Sequence, residues 1–446
     1  MLATPVRRFG ASATRSLATP AAAPKHHRIV VVGAGAAGSS AAHQLLASKL
    51  VGSGEIAVVE PSQHHHYQPG WTLVGAGIRK KTDLRRPVAD ILDKRLTHYT
   101  SAVQTFEPER NVVNLGDRSL SYDQLIVCPG IEIKIDAVKG LRDALTDERT
   151  PVGTIYKYAF CDKTWDMADA FRGGKAIFTQ PAGVVKCAGA PQKIMWLSWD
   201  LWRKRGLLDK TEITFATGLQ AMFGVPRYNE TLERLRKERN IPARYGHNLT
   251  AVEGSEAVFD APNNEQVRLP FDMLHVTPPM GPYDFVKKSA LANEAGFVDV
   301  DDATLQHKKF PNVWSLGDAS SLPTSKTAAA VTAESQVLVT NVINAMQGKE
   351  PGAMYNGYTS CPIPTDHGHL LLAEFLYGGK PKETFGKFIN QAEPKSYFLP
   401  MKTRFFPWVY FKSMVKGTWA GPQGWKARPA AATIADQAAA TVSPAK

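Results

Sequence analysis

A turn of three glycines near the start of the chain constrains its fold more than any other feature. Residues 28–38 read RIVVVGAGAAG, an apolar β-like run that leads into the glycines, and a helical pattern follows as far as Leu50. Such a strand, turn and helix bind the pyrophosphate of a dinucleotide, because glycines let the backbone turn tightly and approach the phosphates at the helix N-terminus. The predicted phosphate-binding residues are Gly33, Gly35, Ala37, Gly38 and Ser39.

A second apolar run favours a dinucleotide site over a purely structural turn. Residues 56–60 end in Glu60, 22 residues after Gly38, where a carboxylate can accept hydrogen bonds from the ribose hydroxyls of adenosine. An arginine in that place would have favoured a ribose that carries a 2′-phosphate. Strand, glycines, helix and second strand together predict a Rossmann-like unit, and at this point they leave FAD and NAD both open.

The second half of the chain contains another short strand, which ends in Gly317 and Asp318 and precedes a helix-like run. A simple strand and capped helix would share this pattern. It resembles the second FAD motif of flavoproteins with two dinucleotide-binding domains. The resemblance implies that Asp318 accepts a hydrogen bond from a ribityl hydroxyl and that the helix N-terminus faces the flavin ring. The predicted flavin contacts are Asp318, Lys326, Thr327, Ala328, Ala329, Ala330 and Val331.

The middle of the chain has the pattern of a second α/β unit without a second glycine fingerprint. A strand predicted at residues 174–178 leads into a loop, residues 179–193, that holds two glycines but no G-x-G-x-x-G. NAD(P)H is therefore not the expected reductant. A strand at residues 211–216 and a charged helix at residues 229–238 predict that the unit persists as a scaffold. The predicted fold class is α/β, with two Rossmann-like dinucleotide-binding domains.

Four cysteines stand far apart, which argues against a disulfide-rich scaffold and a zinc knuckle. Cys187 precedes a helical run, so its thiol would lie near a helix N-terminus, and two neighbouring lysines add positive charge; both features favour a thiolate. Cys361 lies in a segment rich in turn formers, where a thiol could be presented to a cofactor. Each could also be an inert buried residue, and we interpret Cys128 and Cys161 in that way.

Three segments resemble the eukaryotic type of sulfide:quinone oxidoreductase. They are residues 185–193 (VKCAGAPQK), residues 322–331 (LPTSKTAAAV) and residues 358–362 (YTSCP). Residues 66–77 (HYQPGWTLVGAG) also match that family, and the resemblance implies that Gln68 lies beside FAD and that the backbone of Val103 contacts adenine. The likeness extends from Arg28 to Trp419.

The resemblance implies an FAD enzyme that oxidises hydrogen sulfide and passes two electrons to ubiquinone. The sulfane sulfur would go to sulfite or to a thiol such as glutathione. Cys187 and Cys361 would form the redox pair, since hydrosulfide is a strong nucleophile that can attack a disulfide between them. By analogy, Cys361 holds the resulting persulfide, and Cys187 is released as a thiolate that reduces the flavin. This division of roles is a hypothesis.

Basic and aromatic residues alternate near the end of the chain, whose formal charge is +12. This composition suits a segment that lies on an anionic lipid surface. Single-stranded nucleic acid, or two helices packed on the core, would also fit, but the flavin motifs favour the membrane and no nucleic acid is expected. We expect a quinone site at Phe406 and Phe411, with Lys326 within reach of a quinone oxygen. The basic residues are Lys395, Lys402, Arg404, Lys412, Lys416, Lys426 and Arg428.

The beginning of the chain has the composition of a targeting segment. Arg7, Arg8 and Arg15 stand among alanine, serine and threonine, and the first acidic residue is Glu55. This predicts a mitochondrial transit peptide, with an unstructured basic tail as the alternative. No run of 18 apolar residues occurs in the chain, so we expect a peripheral or monotopic protein of the inner mitochondrial membrane.

The predicted domain order has six parts. They are a transit peptide (1–24), the first part of the FAD domain (25–150), a second Rossmann-like domain (151–290), the second part of the FAD domain (291–345), a quinone and membrane region (346–426) and a disordered tail (427–446). No metal site is expected at His64, His65 and His66, because consecutive side chains point in different directions.

Two rival functions remain. A type II NADH:quinone dehydrogenase shares the predicted architecture, but it needs the glycine fingerprint that residues 179–193 lack. A flavin-bound redox sensor, whose cysteines regulate a partner without turnover, is the rival from another class. Sulfide-dependent reduction of a quinone would separate an enzyme from such a sensor.

Overall fold

The computed structural model describes residues 23–424. The predicted transit peptide lies outside the described residues except for its last two positions, and the predicted tail lies wholly outside them. Lys426 and Arg428, two of the basic residues of the C-terminal pattern, are also outside this range.

A sheet of seven strands is built around the apolar run that precedes the glycine turn. The strand Lys25–Val32 pairs in parallel with Ile56–Val59 on one side and with Ser119–Val127 on the other. All three are buried over their last four residues, as expected for strands that are covered on both faces. Val313–Ser315 also pairs in parallel with the end of Ser119–Val127, so the second half of the chain returns to this sheet. The remaining strands are Thr97–Tyr99, Thr105–Glu107 and Val112–Asn114.

Two helices rich in small residues, Ala36–Ala47 and Ala328–Met346, pack against each other beside this sheet. Their close approach is fixed by a buried hydrogen bond in which Gln44 Nε2 donates to Ser335 Oγ at 3.0 Å. The first helix begins directly after Gly35 and the second directly after Thr327. The N-termini of both helices therefore belong to the two predicted cofactor motifs.

The second sheet contains five parallel strands, as the predicted second α/β unit requires. In spatial order they are Val152–Gly153, Met273–His275, Gly174–Gln180, Thr211–Thr217 and Ala243–Tyr245. The strands and the helix predicted in this unit are confirmed, although the helix begins earlier, at Pro226, and spans Pro226–Glu238. Proline suits that position because the first N–H of a helix needs no partner within it. A three-stranded antiparallel sheet adjoins: Asn248–Glu253, Glu256–Asp260 and Gln266–Pro270.

Cys361 lies on a β-strand, whereas its turn-forming neighbours predicted an irregular segment. The strand Thr359–Pro364 pairs antiparallel with Leu370–Phe375 alone. A strand with one partner tolerates Pro362 and Pro364 because its outer edge requires no N–H groups. Cys361 and Ile363 are buried in the core of the second sheet, and this burial outweighs the local preference for turns.

Near the end of the described residues, one helical run spans residues 401–414. It consists of Met401–Phe405 and Tyr410–Met414, with π-type hydrogen bonding, and of Phe406–Val409 between them. The run is tied to the first domain by Arg79, which donates from Nε and Nη2 to the carbonyl of Thr403 at 3.1 and 2.7 Å. Within residues 23–424, no helix has the length and apolar character needed to cross a bilayer.

The remaining α-helices and two short strand pairs are as follows. The helices are Trp71–Gly75, Val88–Ile91, Leu141–Thr146, Cys161–Ala170, Ala190–Lys204 and Asp284–Lys287. The strands are His64–His66, paired with Arg85–Pro87, and Glu132–Ile133, paired with Met280–Gly281.

Candidate active site

The sulfur atoms of Cys187 and Cys361 lie 3.3 Å apart, although 174 residues separate the two cysteines in the chain. Cys187 comes from the loop before the helix Ala190–Lys204, and Cys361 comes from the edge strand described above. A Cβ on Gly189 would lie only 2.6 Å from the Sγ of Cys361. Glycine at this position therefore provides the room in which the two thiols meet.

The backbone of Cys187 is held in an unusual conformation. Its φ of +57° lies in the left-handed region, which residues with side chains rarely adopt. Two hydrogen bonds fix it, since its amide donates to the carbonyl of Lys326 at 2.9 Å and its own carbonyl accepts from the amide of Ala190 at 2.8 Å. Strained conformations of this kind recur at functional sites, and this one joins the cysteine to the predicted flavin turn.

Lys193 makes the two thiols chemically different. Its Nζ lies 3.1 Å from the Sγ of Cys187, and its side chain is buried. The hydrogen bond from Cys361, and then the charge of Lys193, hold the pKa of Cys187 well below its usual value in spite of burial. The same hydrogen bond, together with burial, raises the pKa of Cys361 well above its usual value. The pair is therefore arranged as a thiolate at Cys187 beside a protonated thiol at Cys361.

The two cysteines in turn change the pKa of Lys193. Burial alone would lower the pKa of Lys193, but the charges and hydrogen bonds of Cys187 and Cys361 together outweigh burial and raise the pKa to about 12. The ammonium consequently stays charged at neutral pH. The sequence indicated that lysines lie near Cys187, but the contact itself required the helix Ala190–Lys204, which turns Lys193 back toward the sulfur.

A second buried lysine near the cysteines was not predicted. Lys402 was assigned to the cations that face lipid headgroups, and that assignment is wrong because its side chain is only 4% exposed. Its Nζ donates to the carbonyl of Pro69 at 3.2 Å. Burial, together with repulsion from Lys193, lowers its pKa to about 7. Sequence alone offered no signal that separates Lys402 from its exposed basic neighbours.

The glycine turn has the form that a pyrophosphate requires. Gly33 has a φ of +101°, and a Cβ on Gly38 would collide with the carbonyl of Gly33. By contrast, a Cβ on Gly35 would meet no atom within 4 Å, and no side chain caps the helix that Gly35 begins. Free helix N–H groups beside an open space form an anion site. Ala37 and Ser39 are both buried in the first turn of this helix.

Glu60 and Val103 are the two residues predicted to contact adenosine. The Oε2 atom of Glu60 accepts a hydrogen bond from the amide of Ala34 at 2.9 Å, so the carboxylate lies against the glycine turn. Val103 is buried. Among the described residues nothing is hydrogen-bonded to its amide or carbonyl, which leaves both groups available to a base.

The two predicted cofactor motifs meet in the structure. A Cβ on Gly317 would lie 3.1 Å from the Cβ of Ala37, so the Gly-Asp turn contacts the first turn of the glycine helix. Asp318 follows in this turn, and burial raises its pKa although Lys186 and Lys326 favour its charged form. Thr327 caps the helix Ala328–Met346 by accepting from the amide of Ala330 at 3.0 Å. These groups fit FAD.

Gln68, which was predicted to lie beside FAD, contacts the loop that contains Cys187. Its Oε1 accepts a hydrogen bond from Lys186 Nζ at 3.0 Å, and Lys186 directly precedes Cys187 in the chain. Glu334, a buried residue that the sequence did not suggest, also contacts the Gly-Asp turn. Its carboxylate accepts a hydrogen bond from the amide of Gly317 at 2.7 Å. The remaining predicted contacts, Ala328, Ala329 and Val331, lie in the first turn of the helix Ala328–Met346.

The predicted quinone residues lie in the helical run over residues 401–414. Phe406 and Phe411 are half-buried against the core of the first sheet, and Phe411 lies under the guanidinium of Arg86 at 4.7 Å. The buried ammonium of Lys326 donates to the carbonyls of Ser320 and Leu322, at 2.7 and 3.2 Å. Its predicted contact with a quinone oxygen stays a prediction.

The other singled-out residues have structural roles. His65 is buried and joins the glycine turn to the helical run over residues 401–414, because Nδ1 contacts the carbonyl of Ala34 and Nε2 contacts the hydroxyl of Tyr410, both at 2.8 Å. In residues 23–424 no group of three potential metal ligands occurs. Cys128 and Cys161 are buried in the first core, as interpreted from the sequence. Burial raises the pKa of both thiols, that of Cys161 to about 12.

Comparison with known proteins finds similar chains of one family. Residues 27–171 match the family model described as pyridine nucleotide-disulphide oxidoreductase. The curated mitochondrial sulfide:quinone oxidoreductase of Schizosaccharomyces pombe is 44% identical over 382 residues, which cover 83% of this chain and 83% of the relative. Its counterpart in Dictyostelium discoideum is 43% identical over 381 residues, which cover 84% of this chain and 83% of the relative.

Solved structures share the fold at low identity. A chain of the Tetrahymena thermophila mitochondrial ATP synthase superposes with a TM-score of 0.79 and 21% identity, over 93% of this chain and 100% of that chain. The sulfide:quinone oxidoreductase of the bacterium Aquifex aeolicus superposes with a TM-score of 0.71 and 16% identity, over 87% of this chain and 91% of the other. At these identities the likeness concerns the fold alone.

Proposed function

Because this chain belongs to the sulfide:quinone oxidoreductase family, whose members are FAD-dependent enzymes, we propose that Cys187 and Cys361 take the sulfur from hydrogen sulfide. The observation that carries the proposal is the 3.3 Å separation of their sulfur atoms beside the ammonium of Lys193. The two thiols differ in pKa in opposite directions. Such a pair can open asymmetrically when a nucleophile attacks its disulfide.

In the proposed first step, hydrosulfide attacks the Sγ of Cys361 in the oxidised pair. The bond between the two cysteine sulfurs breaks, Cys361 becomes a persulfide, and Cys187 leaves as a thiolate that retains the electron pair. The leaving group is assigned to Cys187 because a thiol with a lower pKa leaves faster. Lys193 stabilises the thiolate through its 3.1 Å contact.

In the second step, the outer sulfur of the persulfide passes to a nucleophilic acceptor, which is sulfite or a thiol such as glutathione. This transfer leaves the electron pair of the broken bond on Cys361, so both cysteines are then reduced. FAD, when bound, supplies the two-electron acceptor through which the disulfide re-forms and a quinone is reduced. Gln68, Asp318 and the turn at Lys326 would hold it next to Cys187, whose amide already bonds that turn.

We place the quinone exchange at the helical run over residues 401–414 and assign this run to the surface of the inner mitochondrial membrane. Trp408 is 53% exposed there, and Phe406 and Phe411 flank it on the protein side. An exposed tryptophan among basic side chains is typical of a segment that lies in a lipid interface. A hydrophobic quinone would reach Phe406 and Phe411 from the bilayer.

Stopped-flow absorbance of the flavin tests the cysteine proposal. The purified holoenzyme is mixed anaerobically with sulfide and with sulfite as the sulfur acceptor, then with a short-chain ubiquinone, and in a parallel experiment with NADH. We expect sulfide but not NADH to bleach the flavin, quinone to restore it, and Cys187→Ser and Cys361→Ser to abolish bleaching. Cys161→Ser is the matched control, because this buried cysteine lies outside the site. Bleaching by NADH alone, or normal bleaching in both variants, would contradict the proposal.

A further inference from the structure

Two adjoining cavities of different chemistry lie on either side of Trp408. One has a volume of about 420 Å³ and is lined by three arginines, Arg79, Arg86 and Arg404, together with Trp408 and Phe411. The other has a volume of about 500 Å³ and is lined by apolar side chains, Pro400, Met401 and Phe405, with Arg404 and Trp408 at the shared wall. The charged cavity and the apolar cavity therefore share Arg404 and Trp408 as lining residues.

The three arginines have no carboxylate partner in the described part of the chain. Arg79 donates to the carbonyl of Thr403. Arg86 donates to the carbonyls of Asp83 and Arg85 and rests on Phe411. Arg404 forms no hydrogen bond or ion pair with any described residue. Most other arginines in the described part of the chain are paired with aspartate or glutamate. The three unpaired arginines together therefore favour binding of an anion.

We propose that these cavities bind one anionic phospholipid, with its phosphate on the arginines and an acyl chain against Pro400, Met401 and Phe405. The inference rests on the proposed membrane location and names its lipid partner. Guanidinium groups recognise phosphate oxygens through paired hydrogen bonds. Asp83 is the one carboxylate among the residues that line the charged cavity, so the lining carries a net charge of +2, from three arginines and one aspartate.

A phospholipid fits the two cavities together better than a free phosphate or a quinone does. A free phosphate would use the arginines but would leave the apolar cavity without a function. A quinone ring is neutral and would leave the arginines uncompensated. A phosphodiester that carries an acyl chain satisfies both parts, and it would anchor residues 401–414 where the quinone is proposed to enter.

Vesicle flotation of the holoenzyme tests the proposal. Vesicles of phosphatidylcholine are compared with vesicles that also contain phosphatidylglycerol, for the wild type, Arg404→Gln and the double variant Arg86→Gln with Arg404→Gln. A basic residue near an anionic surface contributes roughly a fivefold gain in binding. We therefore expect the single variant to lose roughly fivefold, and the double variant roughly 25-fold, of the preference for anionic vesicles. Arg404→Lys should lose less than Arg404→Gln.

Two controls keep the site separate from general charge and from the redox function. Arg244→Gln removes one exposed arginine from the strand Ala243–Tyr245 of the second sheet, and it should bind as the wild type. Equal losses in Arg244→Gln and Arg404→Gln would overturn the site in favour of diffuse electrostatics. Sulfide-dependent bleaching without lipid reports the cysteine pair alone. Variants that bleach and bind vesicles as the wild type does would therefore refute the lipid site and leave the redox proposal intact.

Competition identifies the ligand. Micelle-forming short-chain phosphatidylglycerol should displace the protein from vesicles, whereas inorganic phosphate and a single-stranded oligonucleotide at the same charge concentration should not. Displacement by inorganic phosphate to the same extent would reassign the arginines to a free anion, and displacement by the oligonucleotide would reassign the surface to nucleic acid. A raised KM for short-chain quinone in Arg404→Gln, with unchanged vesicle binding, would reassign the cavity to the quinone.

Discussion

Lys193 is a buried cation whose ammonium lies against the sulfur of Cys187. We predict that Lys193→Met, which keeps the length of the side chain and removes its charge, raises the pKa of Cys187. A rise of one pKa unit corresponds to about a tenfold loss of thiolate below that pKa. In the wild type the pKa is depressed, so the thiolate persists as the pH falls below the usual range of a cysteine. In the variant the thiolate should disappear at a higher pH.

The rate of alkylation of the reduced enzyme by iodoacetamide, measured across pH 5 to 9 as a probe range, reports this change. The inflection for Cys187 should move to higher pH in Lys193→Met, and the rate at neutral pH should fall about tenfold. Lys175→Met removes an exposed lysine from the strand Gly174–Gln180 and serves as the matched control. Overlapping pH profiles for the wild type and Lys193→Met would refute the role of Lys193.

Individual residues were predictable where the local backbone dictates them. Gly33, Gly35 and Gly38 are required by a tight turn and a close helix, and that requirement is readable from eleven consecutive residues. The contact between Cys187 and Cys361 was available only through a family resemblance, because it depends on a meeting across 174 residues. Lys402 could not be found, since its burial results from packing that no local pattern records.

The helix Ala190–Lys204 and the strand pair that contains Cys361 are joined at their far ends by Asp200. Its carboxylate accepts hydrogen bonds from the amide of His367 at 3.0 Å and from its Nδ1 at 2.9 Å, and from Lys204 at 2.7 Å. The side chain of Asp200 is 1% exposed. Each of these two elements carries or adjoins one cysteine, so we expect Asp200 to help position the sulfurs without touching them.

We predict that Asp200→Asn destabilises the protein by about 1–3 kcal/mol, because charge-assisted hydrogen bonds to a buried carboxylate are lost. It should also slow sulfide-dependent bleaching by loosening the cysteine pair. Burial raises the pKa of Asp200, but the bonds from Lys204 and His367 outweigh burial and hold it well below its usual value. Its stabilisation is therefore present above the unfolded pKa, about 3.9, and is lost as the pH falls through the folded value.

Urea unfolding of the FAD-saturated protein at neutral and acidic pH measures this effect. The difference between the wild type and Asp200→Asn should be constant at neutral pH and should narrow in acid below about pH 4. Asp136→Asn removes an exposed carboxylate that pairs with Arg142, and it should change neither stability nor bleaching, since exposed ion pairs contribute little. Normal bleaching in a destabilised Asp200→Asn would limit this residue to a structural role.

Elements were predictable where one periodicity dominates. Apolar runs predicted the strands Lys25–Val32, Ile56–Val59, Gly174–Gln180 and Thr211–Thr217, and helical spacing predicted the charged helix that spans Pro226–Glu238. The strand Thr359–Pro364 was missed because its two prolines and its polar neighbours are typical of turns. Its pairing with Leu370–Phe375 is a tertiary effect, which local preferences do not contain.

At the scale of the whole molecule, the cysteines and the proposed quinone residues belong to different cores. Cys361 is buried in the core of the second sheet, whereas Phe406 and Phe411 pack against the core of the first sheet. His65 links the glycine turn to Tyr410, so the helical run over residues 401–414 and the cofactor motif form one body. Sulfide oxidation and quinone reduction should therefore be separable by mutation.

We predict that Phe411→Leu and Phe406→Leu raise the KM for short-chain ubiquinone while sulfide-dependent bleaching keeps its wild-type rate. Loss of one aromatic contact costs about 0.5–1.5 kcal/mol, equivalent to roughly a two- to tenfold increase in KM. Stopped-flow bleaching by sulfide and steady-state quinone reduction measure the two halves separately. Phe388→Leu, at a phenylalanine that is 92% exposed, controls for the loss of an aromatic ring elsewhere in the C-terminal region. Only a site on the quinone side can alter the quinone half of the reaction alone. An unchanged KM would therefore contradict a quinone site at Phe406 and Phe411. Slowed bleaching would show that these rings support the cofactor instead.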